Sequence, residues 1–129
     1  MSEPAMLSAR VTVLVVDDEP AVRRVSRRML ERAGYGVLEA ADVREALAVL
    51  ADSVRVDVVV SDLQMPMDGE ALGSRLASQS PRIPILFMSA SRGAHPNIAA
   101  LGPLLAKPFS EAALIETVRY VLSESSHRG

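Results

Sequence analysis

The sequence has 129 residues, of which 49% are hydrophobic and 23% are charged, and its formal net charge is −2. A chain of this length is typical of one domain. The absence of cysteine excludes disulfide bonds, thiolate zinc sites and a cysteine nucleophile. The slightly acidic balance and the 3% aromatic content argue against nucleic-acid binding. The sequence contains no apolar run near the ~20 residues of a membrane span, and Met1–Arg10 lacks the features of a signal peptide, so we expect a cytoplasmic protein.

Short apolar runs alternate with helical patterns in the first part of the chain. Val11–Val16 is a β-branched run that predicts a buried strand. Pro20 begins an amphipathic helix, at a position where its missing N–H costs nothing. Gly36–Glu39 is predicted as a second strand. Asp42 with Glu45 resembles a capping box and predicts the start of a second helix.

The alternation continues with three further strands, predicted at Val56–Ser61, Ile83–Met88 and Leu104–Ala106. Gly69–Ser80 has a weaker helical pattern. Ala94–Leu101 lies among glycine and proline residues, so the fourth helix is predicted to be short or irregular.

A last helix is predicted from the cap residue Ser110 to Ser123, because its apolar residues recur at helical spacing. We therefore expect an N-terminal tail over 1–9, one domain over 10–123 and a polar tail over 124–129. Five strand–helix units with apolar strands predict an α/β fold, a doubly wound parallel sheet covered on both faces. Ligands of such sheets bind beyond the carboxyl ends of the strands.

Polar residues follow the predicted strands at this edge. Asp17 and Asp18 follow the first strand, Asp62 the third, Ser89 the fourth and Lys107 the fifth. Lys107 is the only lysine among 14 basic residues. Three carboxylates in one pocket repel each other, unless some are protonated or a divalent cation and an ammonium neutralise them. Oxygen ligands without histidine or cysteine favour a hard ion such as Mg²⁺.

Each of these residues also has a plain structural interpretation. Asp17 or Asp18 could cap the helix that Pro20 begins, and Asp62 could start an Asx-turn. Lys107 alone would be an ordinary surface lysine. Their joint placement at one edge of the sheet is much harder to explain in this way.

Four runs carry these residues: Val15–Glu19, Ser61–Gly69, Met88–Ala90 and Lys107–Phe109. In sequence and order they resemble the motifs of the response-regulator receiver family, the CheY-like domains of two-component signalling, over residues 10–123. The resemblance implies a flavodoxin-like, five-stranded sheet of order 2-1-3-4-5, for which CheY is itself a standard example.

The resemblance also implies roles for the acidic residues. Asp62 would be the phosphoacceptor. Asp18 and Asp62 would bind Mg²⁺ directly, together with the backbone carbonyl of Gln64, and Asp17 would act through water. The resulting acyl phosphate is labile, which suits a signal that must be reset.

On the opposite side of the pocket, the resemblance implies that Ser89 and Lys107 contact phosphoryl oxygens and that the Lys107–Pro108 peptide is cis. The chain departs from the family pattern in two respects. The segment between Ser89 and Lys107 is shorter than usual, and the switch position that is normally aromatic is Leu104. We expect phosphorylation to move Ser89 and the loop after it but to leave Leu104 buried in one rotamer, so that the signal is read near the pocket and not through this strand.

The first predicted helix carries five arginines: Arg23, Arg24, Arg27, Arg28 and Arg32. They form either a solvated basic face or a docking surface for a histidine-bearing partner.

The function implied by the resemblance is a receiver that takes a phosphoryl group from a histidine kinase or histidine phosphotransfer protein and signals by protein contact. It would catalyse only its own Mg²⁺-dependent phosphorylation and dephosphorylation and would otherwise not be an enzyme. We expect a monomer or weak homodimer. We expect neither nucleic-acid nor membrane partners. The alternative is a non-phosphorylated interaction module of the same fold. A flavodoxin-like cofactor binder is disfavoured, because Asp17, Asp18 and Glu19 would repel phosphate, and no GxGxxG or P-loop is present.

Overall fold

The computed structural model describes residues 10–52, 55–63, 69–78, 83–90 and 98–128. Within them the chain forms five strands: β1 (Thr12–Val16), β2 (Gly36–Ala40), β3 (Val58–Asp62), β4 (Ile85–Ser89) and β5 (Leu104–Ala106). The described helices are α1 (Pro20–Arg32), α2 (Val43–Asp52), α3 (Gly69–Ala77) and α4 (Glu111–Arg128). In the described part of the chain, no helix combines the length and apolar character needed to cross a membrane.

The five strands form one parallel sheet in the order β2-β1-β3-β4-β5. The predicted fold class and strand order are therefore confirmed. In the register of the sheet, Val16 pairs with Ser61, Asp62 pairs with Met88 and Ser89 pairs with Ala106. This register places the carboxyl ends of the three central strands at one level, where the polar residues follow.

Each face of the sheet has its own core, because successive strand side chains point to opposite faces. One core joins the sheet to α2 and α3, and includes Leu14, Val59, Phe87, Ala46 and Leu72. The other joins it to α1 and α4, and includes Val15, Val60, Met88, Leu30 and Leu114. β3 and β4 are buried along their whole length, which explains why each begins with a run of apolar residues.

Local signals in the sequence correctly marked two helix starts. The Glu45 N–H donates to Asp42 Oδ1 at 2.8 Å, and Glu45 Oε1 accepts from the Ala41 N–H at 2.7 Å. Ser110 Oγ accepts from the Ala113 N–H at 3.1 Å, which confirms the predicted cap of α4.

The predicted end of the last helix at Ser123 is wrong, since α4 continues to Arg128. The residues after Ser123 are polar, but polarity predicts exposure to water and does not end a helix. No glycine or proline interrupts this stretch before Gly129.

The prediction for Ala94–Leu101 lies partly outside the described residues. Of this segment, residues 98–101 form turns, and the Gly102 N–H donates to the carbonyl of Ile98 at 3.0 Å. Gly102 passes so close to β4 that a Cβ atom there would lie 2.0 Å from the carbonyl oxygen of Ile85. The chain can enter β5 along this path only with glycine at that position.

Candidate functional site at the carboxyl ends of the strands

The polar residues predicted at the strand ends lie at one edge of the sheet, and four of them, Asp17, Asp18, Asp62 and Lys107, come together in one pocket. Asp17 directly follows β1, Asp62 and Ser89 are the last residues of β3 and β4, and Lys107 directly follows β5. Asp17, Asp62 and Ser89 are buried, with exposed fractions of 0%, 5% and 1%, whereas Asp18 is exposed. The site is therefore closed on the sheet side and open to water at Asp18.

Three carboxylates form the acidic part of the pocket. Asp17, Asp18 and Asp62 each place an oxygen within 4.8 Å of the others. Such a cluster is electrostatically unfavourable by itself, because like charges at this separation repel each other in a partly dry site. The donor set consists of oxygen atoms only, which fits a hard divalent cation such as Mg²⁺.

Lys107 neutralises part of this charge. Its Nζ lies 3.0 Å from Asp17 Oδ2 and 3.6 Å from Asp62 Oδ2. Burial lowers the pKa of Lys107, but its hydrogen bond to Asp17 and the negative charges of Asp17, Asp62 and Glu19 outweigh burial, so the pKa lies above its usual value. Lys107 is therefore a cation throughout the physiological pH range.

The backbone around Lys107 also aims it into the pocket. Its N–H donates to the carbonyl of Ser89 at 2.8 Å, which ties the end of β5 to the end of β4. The Lys107–Pro108 peptide is cis, as the resemblance implied.

Asp17 is held by hydrogen bonds on several sides. Its Oδ1 accepts from the Glu19 N–H at 2.9 Å, and its own N–H donates to the carbonyl of Ala40 at 3.1 Å. Its carbonyl accepts from Arg23 Nη1 at 2.6 Å. The interpretation of Asp17 or Asp18 as the cap of α1 is wrong, because the N-cap residue is Glu19 and no side chain caps this helix.

The two remaining predicted site positions are Gln64 and Leu104. Gln64, predicted to offer a backbone carbonyl to the metal, lies outside the described residues. Leu104 was expected to be buried, and this expectation is wrong because 44% of the residue is exposed. The physical reason is its position on β5, an outer strand of the sheet, which pairs only with β4 among the described strands.

Two of the five arginines of α1, Arg24 and Arg28, are exposed, whereas the other three bind acidic side chains. Arg23 and Arg27 both bind Glu39 of β2, with N–O distances of 3.0 and 2.7 Å. Arg32 binds Glu111 of α4 at 2.6 Å. The hydrogen bond from Arg27 lowers the pKa of Glu39 in spite of partial burial, and the bond from Arg23 acts in the same direction.

Sequence reasoning missed Glu39 as a partner of these arginines. The available signal was a single acidic residue inside a short apolar strand, Gly36–Ala40, which follows a helix rich in arginine.

Comparison with known proteins gives the same picture as the geometry. The family model described as "Response regulator receiver domain" matches residues 13–119. A sensor kinase CckA from Brucella abortus is 42% identical over 125 residues, which are 92% of this chain and 13% of that protein. A response regulator MprA from Mycolicibacterium vanbaalenii is 39% identical over 121 residues, 90% of this chain and 52% of that protein.

Among solved structures, the chemotaxis protein CheY4 of Vibrio cholerae is similar, with a TM-score of 0.78 and 38% identity over 88% of this chain and 100% of that one. The parallel sheet and its acidic pocket define a signalling receiver domain. The chain belongs to the response regulator receiver family of two-component systems. It spans about half the length of the response regulators that it matches, and a much smaller share of the sensor kinase.

Proposed function

We propose that Asp62 is the phosphoacceptor of this receiver and that it takes its phosphoryl group from a histidine kinase or a histidine phosphotransfer protein. The observation that carries this proposal is the set of neighbours around Asp62. Its carboxylate lies within 4.8 Å of those of Asp17 and Asp18, and its Oδ2 is 3.6 Å from the ammonium of Lys107. Asp62 thus lies next to the two other carboxylates and to the ammonium of Lys107, at the end of the buried strand β3.

The transfer is a substitution at phosphorus. An oxygen of Asp62 attacks the phosphorus of the phosphohistidine, a P–O bond forms, and the bond from phosphorus to the imidazole nitrogen breaks. The charge on the transferring oxygens requires positive charge and hydrogen-bond donors that are in place before the reaction.

The residues of the pocket fit a bound Mg²⁺. Asp18, Asp62 and the backbone carbonyl of Gln64 would hold the ion, with Asp17 acting through a water. When bound, it would neutralise charge on the phosphoryl oxygens.

Ser89 and Lys107 would bind the other phosphoryl oxygens. Lys107 already faces Asp62, and it would exchange part of its interaction with Asp17 for one with the phosphoryl group. Ser89 ends the strand next to β3, and its hydroxyl would donate to a phosphoryl oxygen. We expect the domain to signal by protein contact, in the cytoplasm, as a monomer or weak homodimer.

The test is phosphorylation by acetyl phosphate or phosphoramidate with Mg²⁺, followed by intact mass spectrometry. The wild-type chain is expected to gain one phosphoryl mass, and Asp62→Asn to gain none. Asp42→Asn is a matched control, because Asp42 caps α2 and asparagine caps helices equally well. Labelling of Asp62→Asn at the wild-type level would overturn the assignment. No labelling of the wild type by any donor would favour the non-phosphorylated interaction module.

A further inference from the structure

Arg23 of α1 connects the acidic pocket to β2, the outer strand of the sheet on the side away from β5. One arm of its guanidinium, Nη1, donates to the backbone carbonyl of Asp17 at 2.6 Å. Its Nε donates to Glu39 Oε1 at 3.0 Å. The side chain is mostly covered, with 18% of it exposed. A guanidinium can reach two acceptors at once because its donors diverge in one rigid plane.

The Asp17 carbonyl is an informative place for such a contact. This oxygen belongs to the peptide unit that joins Asp17 to Asp18, and a peptide unit is planar. A donor that holds this oxygen therefore also holds the Asp18 nitrogen and Cα, which lie in the same plane, and so restricts the direction of the Asp18 side chain. Asp17 itself is also held through its side chain by the Glu19 N–H and Lys107 Nζ.

Asp18, in contrast, is exposed and has no side-chain hydrogen bond in the described part of the chain. Its direction depends on the backbone that carries it. The contact between Arg23 and the Asp17 carbonyl supports this backbone from the side of α1.

Arg23 is in turn held in place by Glu39. This carboxylate is shared between two arginines, since Arg27 Nη1 donates to Glu39 Oε2 at 2.7 Å. Arg27 also binds Glu31 at 2.9 Å, within α1. Arg27 therefore belongs to the same ion network as Arg23, yet it makes no described contact with Asp17 or Asp18.

We propose that Arg23 is a positioning residue for the metal site: by holding the Asp17 carbonyl, it orients Asp18 for binding Mg²⁺. The inference rests on the proposed function only in the identity of the ion. Groups that orient metal ligands typically change metal affinity by about 10- to 100-fold when they are removed.

The experiment compares Arg23→Gln with the matched control Arg27→Gln. Both variants remove one arginine from Glu39, but only Arg23→Gln removes the contact with the Asp17 carbonyl. Three quantities are measured for each variant. Mg²⁺ affinity is measured by isothermal titration, and the amide hydrogen exchange of Asp18 and Glu19 is measured in metal-free buffer. The free energy of unfolding is measured by urea titration.

Arg23→Gln is expected to weaken Mg²⁺ binding by about tenfold and to speed exchange at Asp18 and Glu19. Arg27→Gln is expected to change Mg²⁺ affinity by less than about twofold, at a similar loss of stability. Unchanged Mg²⁺ affinity and exchange in Arg23→Gln would overturn the proposal, as would an equal loss of affinity in Arg27→Gln.

Two further provisions keep the test decisive. If Arg23→Gln does not fold, Arg23→Lys replaces it, because an ammonium lacks the two diverging N–H donors of a guanidinium. Weaker Mg²⁺ binding by Arg23→Lys then supports the proposal, and binding at the wild-type affinity refutes it. If the wild type binds no Mg²⁺ and accepts no phosphoryl group, the proposed function fails. The exchange of Asp18 and Glu19 in metal-free buffer still decides whether Arg23 holds this loop.

Discussion

The two halves of the sheet are held together in different ways. On the side of β1 and β2, charged side chains bind the backbone and each other, and Arg23, Arg27 and Glu39 tie α1 to the sheet. On the side of β4 and β5, backbones lie in direct contact: Gly102 passes the Ile85 carbonyl at the start of β4, and the Lys107 N–H donates to the Ser89 carbonyl at its end. The first half should therefore be sensitive to pH and to loss of charge at Glu39, and the second half to an added side chain at Gly102.

The largest effect is expected from Gly102→Ala. The new Cβ would lie 2.0 Å from the Ile85 carbonyl oxygen, so the entry to β5 must shift away from β4. We expect a loss of about 3 kcal/mol or more in the free energy of unfolding by urea. The control is Gly36→Ala at the start of β2. Its new Cβ would lie 3.1 Å from the nearest atom, in the flexible side chain of Arg10, and 3.6 Å from Thr12 Oγ1. Equal losses in the two variants would contradict the comparison.

Lys107→Met is expected to have the next largest effect. It leaves Asp17 and Asp62 without their ammonium, and the metal-free protein should lose about 1–3 kcal/mol of unfolding free energy. Asp18→Ala should act in the opposite direction, raising the metal-free stability by up to about 1 kcal/mol while weakening Mg²⁺ binding. Thermal melts with and without Mg²⁺ measure both. A lower melting temperature of Asp18→Ala in metal-free buffer would count against a shared pocket.

Glu39→Gln should reveal the electrostatic character of the β2 side through pH. The arginines lower the folded-state pKa of Glu39, so its contribution is fully present above the unfolded pKa, near 4.5, and is lost as the pH falls through the folded value. At pH 7 the variant should be less stable than the wild type by up to about 1 kcal/mol. Urea titrations at several pH values should show the two curves converging in acid. A constant difference down to pH 3 would refute this origin.

Leu104→Ser is expected to have the smallest effect. The residue is 44% exposed on the outer strand, so its replacement should change the unfolding free energy by less than about 1 kcal/mol. Leu105→Ser is the control, because the neighbouring Leu105 packs into the core beneath α4 and should cost more. Similar losses in the two variants would show that Leu104 is covered in solution.

Much of the fold was predictable because its signals are local. Apolar runs marked the strands, and residues such as Asp42 and Ser110 marked helix starts through contacts with their own neighbours. The meeting of Asp17, Asp62 and Lys107 followed from a single rule, that parallel strands end at one edge. The strand order itself came from the family resemblance.

The remaining features depend on contacts between distant parts of the chain. The bond from Arg23 to the Asp17 carbonyl has a backbone acceptor, and a backbone acceptor leaves no trace in the side-chain pattern. The exposure of Leu104 depends on its position at the outer strand, and an apolar residue by itself does not report that position. The continuation of α4 to Arg128 was hidden because its last turns are polar.

The two outer strands of the sheet also bear on self-association. An open sheet edge presents unpaired backbone groups to which a strand of another molecule can add, and short or charged edge strands oppose this addition. β5 has three residues, so it offers few such groups. β2 has five residues, but one of them is Glu39, a charged residue that binds the guanidinium groups of two arginines. Each edge is thus protected from intermolecular strand pairing by its own means, one by its length and the other by its charge.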